Sequence, residues 1–316
     1  MPANRRVGQA RPAWPIVMLG LAVGLGLAAC LPVTRPVVKI AFVAPFEGRY
    51  RDIGYEVTWA FRLAVREANL AGGVGGYSIE ILSLDDSGDP AQAAEQARKV
   101  AADPQVAAVI GHWRESTTQA AAPVYDAAGI PLVATGSSNE LPRSAYRLWL
   151  TEAVYGEAAP EARHCPLPCD SLDDLTWLSA AGPAVAVAGP VLWELNQFAT
   201  LAGTRAEGAY IIAPAPLPSD LDSPTFADNY RPLSFGTEPR SNAVLAYDAT
   251  RLVLRAVADA AGGGAVSRAA VASALSRADF TGLSGHISFD EQHNWEQVRA
   301  HVYQWRNGVL IQPYPR

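Results

Sequence analysis

The sequence predicts an α/β protein whose first lobe is a doubly wound parallel sheet and whose remainder builds a second lobe. Three observations carry this expectation. The chain has 316 residues, and at roughly 150 residues per domain that favours two lobes or one large domain. Apolar residues make up 49% of it and charged residues 18%, enough for a sizeable core and too apolar for a disordered chain. Strand-like runs alternate with helical spacing from residue 37 to residue 135, and crossover connections of that kind need helices covering the sheet.

The first 29 residues stand apart. Arg5, Arg6 and Arg11 precede an uncharged apolar run from Ile16 to Ala29 that ends at Leu27-Ala28-Ala29-Cys30, the layout of a secretory signal. The run is short of the roughly 20 residues of a membrane span. Leu-Ala-Ala-Cys resembles the bacterial lipobox, in which cleavage leaves the cysteine as a lipid-bearing N-terminus; an incidental Cys30 is the alternative. The resemblance implies a signal peptide over 1–29, lipidation at Cys30, a tether over 30–36 and an extracytoplasmic protein anchored to the bacterial membrane by lipid.

Val37 to Ala44 is a nearly continuous apolar run, as in a strand covered on both faces. Helical spacing follows through Ile53, Val57, Ala60, Phe61, Ala64, Val65 and Ala68, until the glycines of residues 72–76 end it. Tyr77 to Leu84 reads as a second strand, Asp89-Pro90 opens a helix to Ala102, Val106 to Ile110 is a third strand, Thr117 to Ala128 a helix and Ile130 to Thr135 a fourth strand. Regularity lapses over 139–182, with a short apolar stretch at Tyr146 to Leu150 and a helix candidate near Leu172 to Leu178. It returns with strands at Pro183 to Ala188 and Gly208 to Ala213 around a helix at Leu192 to Leu201. A helix near Phe226, helices at Asn242 to Ala261 and Arg268 to Ser276, and a hairpin pairing Gly285 to Phe289 with Val298 to Trp305 complete the chain. The expected division is 37–140 for lobe 1, 141–235 for a shortened lobe 2, and 236–316 for a returning segment with the long helix and the terminal hairpin.

Ligands of a doubly wound sheet bind beyond the carboxyl ends of its strands. That rule selects the loops at 46–50, 85–88, 111–116 and 136–139. The third and fourth open toward helix N-termini, where free N–H groups favour an anion, and the hydroxyls of Ser116, Ser137 and Ser138 add donors. Their alternative role is helix capping. Trp113 and Arg114 read as ligand contacts or as interlobe packing, and Asp85-Asp86 as a cap of the next helix or a loop-internal pair, with a ligand role as the alternative. Cys165 and Cys169 are separated by three residues, which fits neither a Cys-x-x-Cys redox pair nor an obvious metal site; an export route permits a disulfide, and free thiols remain the alternative. The five histidines are scattered, so no metal site is expected, and neither a dinucleotide fingerprint, a phosphate-binding loop nor a nucleophile elbow occurs. No cofactor and no catalytic residue follow. The net charge of −6, without a basic cluster beyond the N-terminus, excludes nucleic acid.

Several segments together resemble the type I extracytoplasmic solute-binding proteins of the branched-chain amino acid class, which serve ABC importers. They are Asn69 to Gly76, Leu84 to Ala93, Val109 to His112, Ala122 to Pro131, Glu207 to Tyr210 and Ala246 to Ala249. The resemblance implies two Rossmann-like lobes with parallel sheets, the type I periplasmic binding protein fold, closing on a small ligand that passes to an ABC permease. It assigns ligand contacts to Tyr50 in the first loop, to Trp113, Arg114, Glu115 and Ser116 in the third, and to Gly136, Ser137 and Ser138 in the fourth. Two departures stand out. Gly189-Pro190 is followed by Val191, Leu192 and Trp193 where relatives place an acid for the ligand ammonium. That role then falls to Glu115, or the ligand is an uncharged or anionic molecule suited to Arg114 and Trp193. The passage from Tyr146 to Pro183 is also shorter by roughly 60 to 70 residues than the family's, which makes lobe 2 truncated. A small amino acid-like ligand, carboxylate or amide is expected, and the rival reading is a sensor or interaction module that kept the fold.

Overall fold

Two five-stranded sheets organise the chain. The computed structural model describes residues 35–136, 141–167, 169–172, 175–182 and 184–314; the expected signal peptide, Cys30, Ser137 and Ser138 lie outside the described residues. Sheet one runs β2-β1-β3-β4-β5 and is parallel throughout, with β1 (Val37–Ala44), β2 (Ser78–Asp85), β3 (Val106–Ile110), β4 (Leu132–Ala134) and β5 (Ala145–Arg147). The alternation of β1 divides its side chains between two cores. Ile40 and Phe42 face α1 (Arg51–Leu70), where Phe42 stacks on Phe61 at 4.4 Å. Ala41 and Val43 face α2 (Pro90–Ala102) and α3 (Glu115–Ala127). Asp89 caps α2 by accepting the Gln92 N–H at 2.8 Å, with Pro90 in the first turn, where its missing N–H costs nothing.

Sheet two runs β12-β11-β8-β7-β6, with β6 (Arg163–His164), β7 (Val187–Pro190), β8 (Tyr210–Ala213), β11 (His301–Arg306) and β12 (Val309–Ile311). It is mixed rather than parallel, because β11 runs antiparallel to β8 and turns back into β12. The expected hairpin is accordingly corrected. Gly285 pairs with Gly282 in a separate ribbon of β9 (Phe280–Gly282) and β10 (Gly285–Ile287), whose turn N–H groups at Leu283 and Ser284 are held by the buried Asp248 carboxylate at 2.9 and 2.6 Å. The expected lobe boundaries shift too. β5 pairs with β4 and carries sheet one past residue 140 to Arg147, while residues 236–316 serve both lobes. Helices α8 (Ser241–Gly262) and α9 (Arg268–Leu275) pack on lobe 1, and β11 and β12 complete sheet two. Between β5 and β7 the described chain forms α4 (Glu152–Glu157), β6 and α5 (Thr176–Ala180); α6 (Asn196–Ala202) and α7 (Thr225–Tyr230) follow in lobe 2.

Arg268 ties α9 beneath sheet one. Its guanidinium donates to the carbonyls of Val106, Ala128, Ala101 and Asp103 at 3.0, 3.2, 3.4 and 2.7 Å, three of which end α2 and α3 and would otherwise lack partners.

The lobes meet at the start of α8. Its leading N–H groups have no partner within the helix, and two buried carboxylates supply acceptors from opposite sides. Glu56 of α1 accepts from Arg240 at 3.1 Å and Ala243 at 3.0 Å; Glu194, in the 3₁₀ turn Val191–Glu194 of lobe 2, accepts from Ser241 at 3.1 Å. Arg240 turns back onto the Glu194 carbonyl at 2.6 Å and Asn196 at 2.7 Å. Burial pushes both carboxyl groups well above the usual carboxylate range, and the charge of Glu56 raises Glu194 further against the opposing pull of Arg240.

A folded state that holds protons more tightly than the unfolded chain loses stability as pH rises. This contribution is full below the ordinary carboxyl value of 4.5 and is lost on rising to about 8. The thermal midpoint is therefore expected to fall between pH 5 and pH 8. Glu194→Gln, which keeps the shape without the charge, flattens that fall and raises the midpoint at pH 8 by at least 2–4 °C, about 1 kcal/mol for a chain this size. A pH series of melting curves checks this, and parallel slopes for variant and parent contradict it.

Candidate functional site

The strands of sheet one deliver their loops to one edge, where they face lobe 2 across a cleft. Ile53, Trp113, Arg114 and Glu115 form one wall, Cys169, Asp170, Pro190, Val191 and Leu192 the other, with Trp149 and Asn242 from the crossings between lobes. The free space between them is about 30 Å³, the room of a water molecule or two rather than of an amino acid.

Arg114 is the centre of this site. Its guanidinium lies 3.9 Å over the Tyr50 ring, a cation–π placement. Nη1 donates to the Gly88 carbonyl at 2.7 Å, and Nε donates across the cleft to the Asp170 carbonyl at 3.0 Å. Nη2 stands 3.6 Å from the Asp170 carboxylate. The same carboxylate accepts, at 3.3 and 3.4 Å, from the N–H and hydroxyl of Ser116 in the first turn of α3. The Arg114 carbonyl is held by the hydroxyls of Thr117 and Thr118 at 3.0 and 2.7 Å, so the backbone that aims the guanidinium is fixed by its own helix. Leu172 N–H donates to the Tyr50 hydroxyl at 3.3 Å, a second tie between the segment following the cysteine loop and lobe 1. Cys165 and Cys169 are joined by a disulfide that closes this loop immediately before Asp170.

The residues expected from sequence divide into groups. Trp113 and Arg114 line the cleft, as does Glu115, whose carboxylate accepts from Gln119 at 2.8 Å. Trp113 is 8% exposed, packs near Phe42 and has an indole N–H without a hydrogen-bond partner. Gly136 sits where the third and fourth loops touch, since a Cβ there would stand 3.0 Å from the Arg114 backbone. Tyr50 is buried below the guanidinium and reaches the cleft through it. Trp193 is a correction. It does not line the cleft but is buried in lobe 2, stacked on Phe198 at 4.5 Å, because Gly189 leaves room for the indole to fold back. Asp85 and Asp86 serve their loop: Asp85 accepts from Phe46 and Ser87, and Asp86 from Gly88 and the buried His112 at 2.6 Å.

Trp149, Asp170 and Asn242 were not anticipated. Asn242 stands among polar residues that read as an ordinary helix start, and Trp149 belongs to a stretch that reads as core. Asp170 carried the one usable signal, an acid placed directly after a short cysteine loop.

The sequence model of the periplasmic binding protein family matches residues 37–164 and 178–309. The cysteine loop and Asp170 fall between the two matched stretches. Among curated proteins the chain is similar to an amino acid binding protein of Pseudomonas aeruginosa, 33% identical over 102 residues that cover 32% of this chain and 27% of that protein. It is also similar to the Leu/Ile/Val-binding protein of Escherichia coli K12, 32% identical over 127 residues that cover 40% and 34%. The match thus spans about a third of the length of these relatives. Among solved structures, the chain resembles a branched-chain amino acid transporter substrate binding protein of Streptococcus pneumoniae in complex with isoleucine, with TM-score 0.71, 21% identity and coverage of 87% of this chain and 97% of that one. A solute binding protein of R. palustris in complex with benzoate gives TM-score 0.70, 16% identity and coverage of 88% and 95%. At these identities the likeness is one of fold. The family, relatives and neighbours are binding proteins, not enzymes.

The placement of Trp193 is checked by Gly189→Ala. The added Cβ would fall 2.3 Å from the indole, and overpacking of that kind costs about 1–3 kcal/mol. A drop in the thermal midpoint of roughly 2 °C or more is expected at this size. An unchanged midpoint would return Trp193 to the cleft.

Proposed function

The chain belongs to the periplasmic binding protein family, and on that premise we propose that it is an extracytoplasmic solute-binding protein holding a small amino acid, carboxylate or amide between its lobes for an ABC permease. The observation that carries the reading is the composition of the cleft. Its walls come from both lobes, and they combine a guanidinium, a helix first turn whose Ser116 hydroxyl already holds a carboxylate, and indole rings. Such a site recognises a charged head group and an apolar body at once. Tyr50, Trp113, Arg114, Glu115, Ser116, Gly136, Ser137 and Ser138 are its proposed ligand-binding set. Capture by closure of two lobes moves no covalent bond; the ligand shifts a population between open and closed forms. The basic N-terminus, the apolar run and Leu27-Ala28-Ala29-Cys30 support export and lipid anchoring at Cys30.

A second reading, a sensor or interaction module that no longer delivers solute, is favoured by the small volume of the cleft, about 30 Å³. Thermal unfolding of the purified protein against leucine, isoleucine, valine, benzoate and their amides separates the two, because a ligand bound only by the folded state raises the midpoint. Saturable stabilisation by one class is expected, with affinity falling about tenfold, or 1.4 kcal/mol, in Trp113→Ala and Ser138→Ala. Unchanged affinity in both variants overturns the site assignment, and a midpoint that no compound moves favours the second reading.

A further inference from the structure

The cleft is closed around a carboxylate that belongs to the chain itself. We propose that Asp170 is a tethered occupant of the ligand's carboxylate position, which latches the lobes shut in the empty protein, so that a ligand enters by exchanging its own carboxylate for that of Asp170. This rests on the solute-binding reading above and adds to it the means by which the site is regulated and the class of ligand that opens it.

Four observations support the latch. Asp170 belongs to lobe 2, yet its carboxylate accepts from the Ser116 N–H and hydroxyl of lobe 1. These bonds are 3.3 and 3.4 Å, and the nearest guanidinium nitrogen is 3.6 Å away, long for charge-assisted contacts. The buried Asp86, by contrast, meets His112 at 2.6 Å. Asp170 therefore fills its position without being locked there, and its side chain keeps 24% exposure, a path for water and ligand. Arg114 has no other carboxylate partner among the described ion pairs, so removing Asp170 leaves a guanidinium and a helix first turn facing an empty site. Finally, the Trp113 indole N–H is buried without an acceptor at the cleft wall, a donor that Asp170 does not satisfy. An incoming carboxylate has oxygens enough to meet the guanidinium and to offer an acceptor to that indole N–H.

Cys165–Cys169 sets the reach of the latch. The disulfide closes the loop directly before Asp170, and the Arg114 bond to the Asp170 carbonyl holds the backbone at the cleft. The carboxylate swings on a fixed base.

The test combines a readout without ligand and one with it, on the intact protein and on Asp170→Asn and Ser116→Ala, which release the latch from opposite lobes. Small-angle X-ray scattering of ligand-free protein should show a larger radius of gyration for both variants than for the parent. Asp170→Asn should then bind leucine, isoleucine or benzoate about tenfold more tightly than the parent, as when a competing closed form that holds nine molecules in ten is removed. The corresponding amides, which bring no negative charge to the Arg114 guanidinium, should bind more weakly than the acids to parent and variant alike. Identical scattering for parent and variants overturns the latch whatever binds. Opening without binding of any of these probes upholds the latch and removes the solute-binding reading, while an open variant that binds amides as tightly as the acids overturns the exchange.

Discussion

Everything about the cleft depends on how α8 begins. A helix of 22 residues that starts in the interior must find acceptors for its leading N–H groups, since burial leaves no water to supply them. The chain meets this need with one carboxylate from each lobe. Because Glu56 and Glu194 answer the same helix end, the separation of the lobes at this point is set by hydrogen-bond lengths. Asn242, one residue into the helix, is thereby placed in the cleft wall. The arrangement has a cost, since two acids are kept close together in a poor solvent for charge, and Arg240 offsets only part of it.

The strengths of the contacts around the cleft differ in a way that suits motion. Ties within lobe 1 are short, as with Arg114 on the Gly88 carbonyl and the threonine hydroxyls on the Arg114 carbonyl. Those that cross the cleft are long or go to backbone atoms. A rigid first wall and a loosely held second one are what two lobes need in order to separate without either losing its shape.

The first lobe was legible in the sequence because each of its strands is bounded by residues with one strong local meaning. Asp89-Pro90 can hardly do other than start a helix, and the apolar run of β1 is continuous because both of its faces are covered. Legibility fell where structure is decided by distant partners. Phe280 to Gly282 has no alternation of its own, and it becomes a strand because Asp248, far away in the chain, holds the turn. Trp193 looked like a ligand contact from its place after Gly189-Pro190; only the empty side of Gly189 turns it inward. Asp170 could be noticed from its neighbours, but the serine it meets lies across the cleft, a relation no local pattern contains.

The interleaving of the lobes also bears on how the chain comes into being. Strands β1 to β5 are made first, yet the Ala108 and Ile110 side of β3 is covered only once α8 and α9 exist, and β8 lacks its outer neighbour until β11 has been added. At translation speeds of about 5–20 residues per second, the interval from Arg147 to Leu275 is roughly 6 to 26 s. For that time an apolar face waits for its cover. Neither lobe can finish before the last stretch of chain has been made, so the nascent polypeptide remains pliable, and in need of a holding partner, almost to the end of its synthesis.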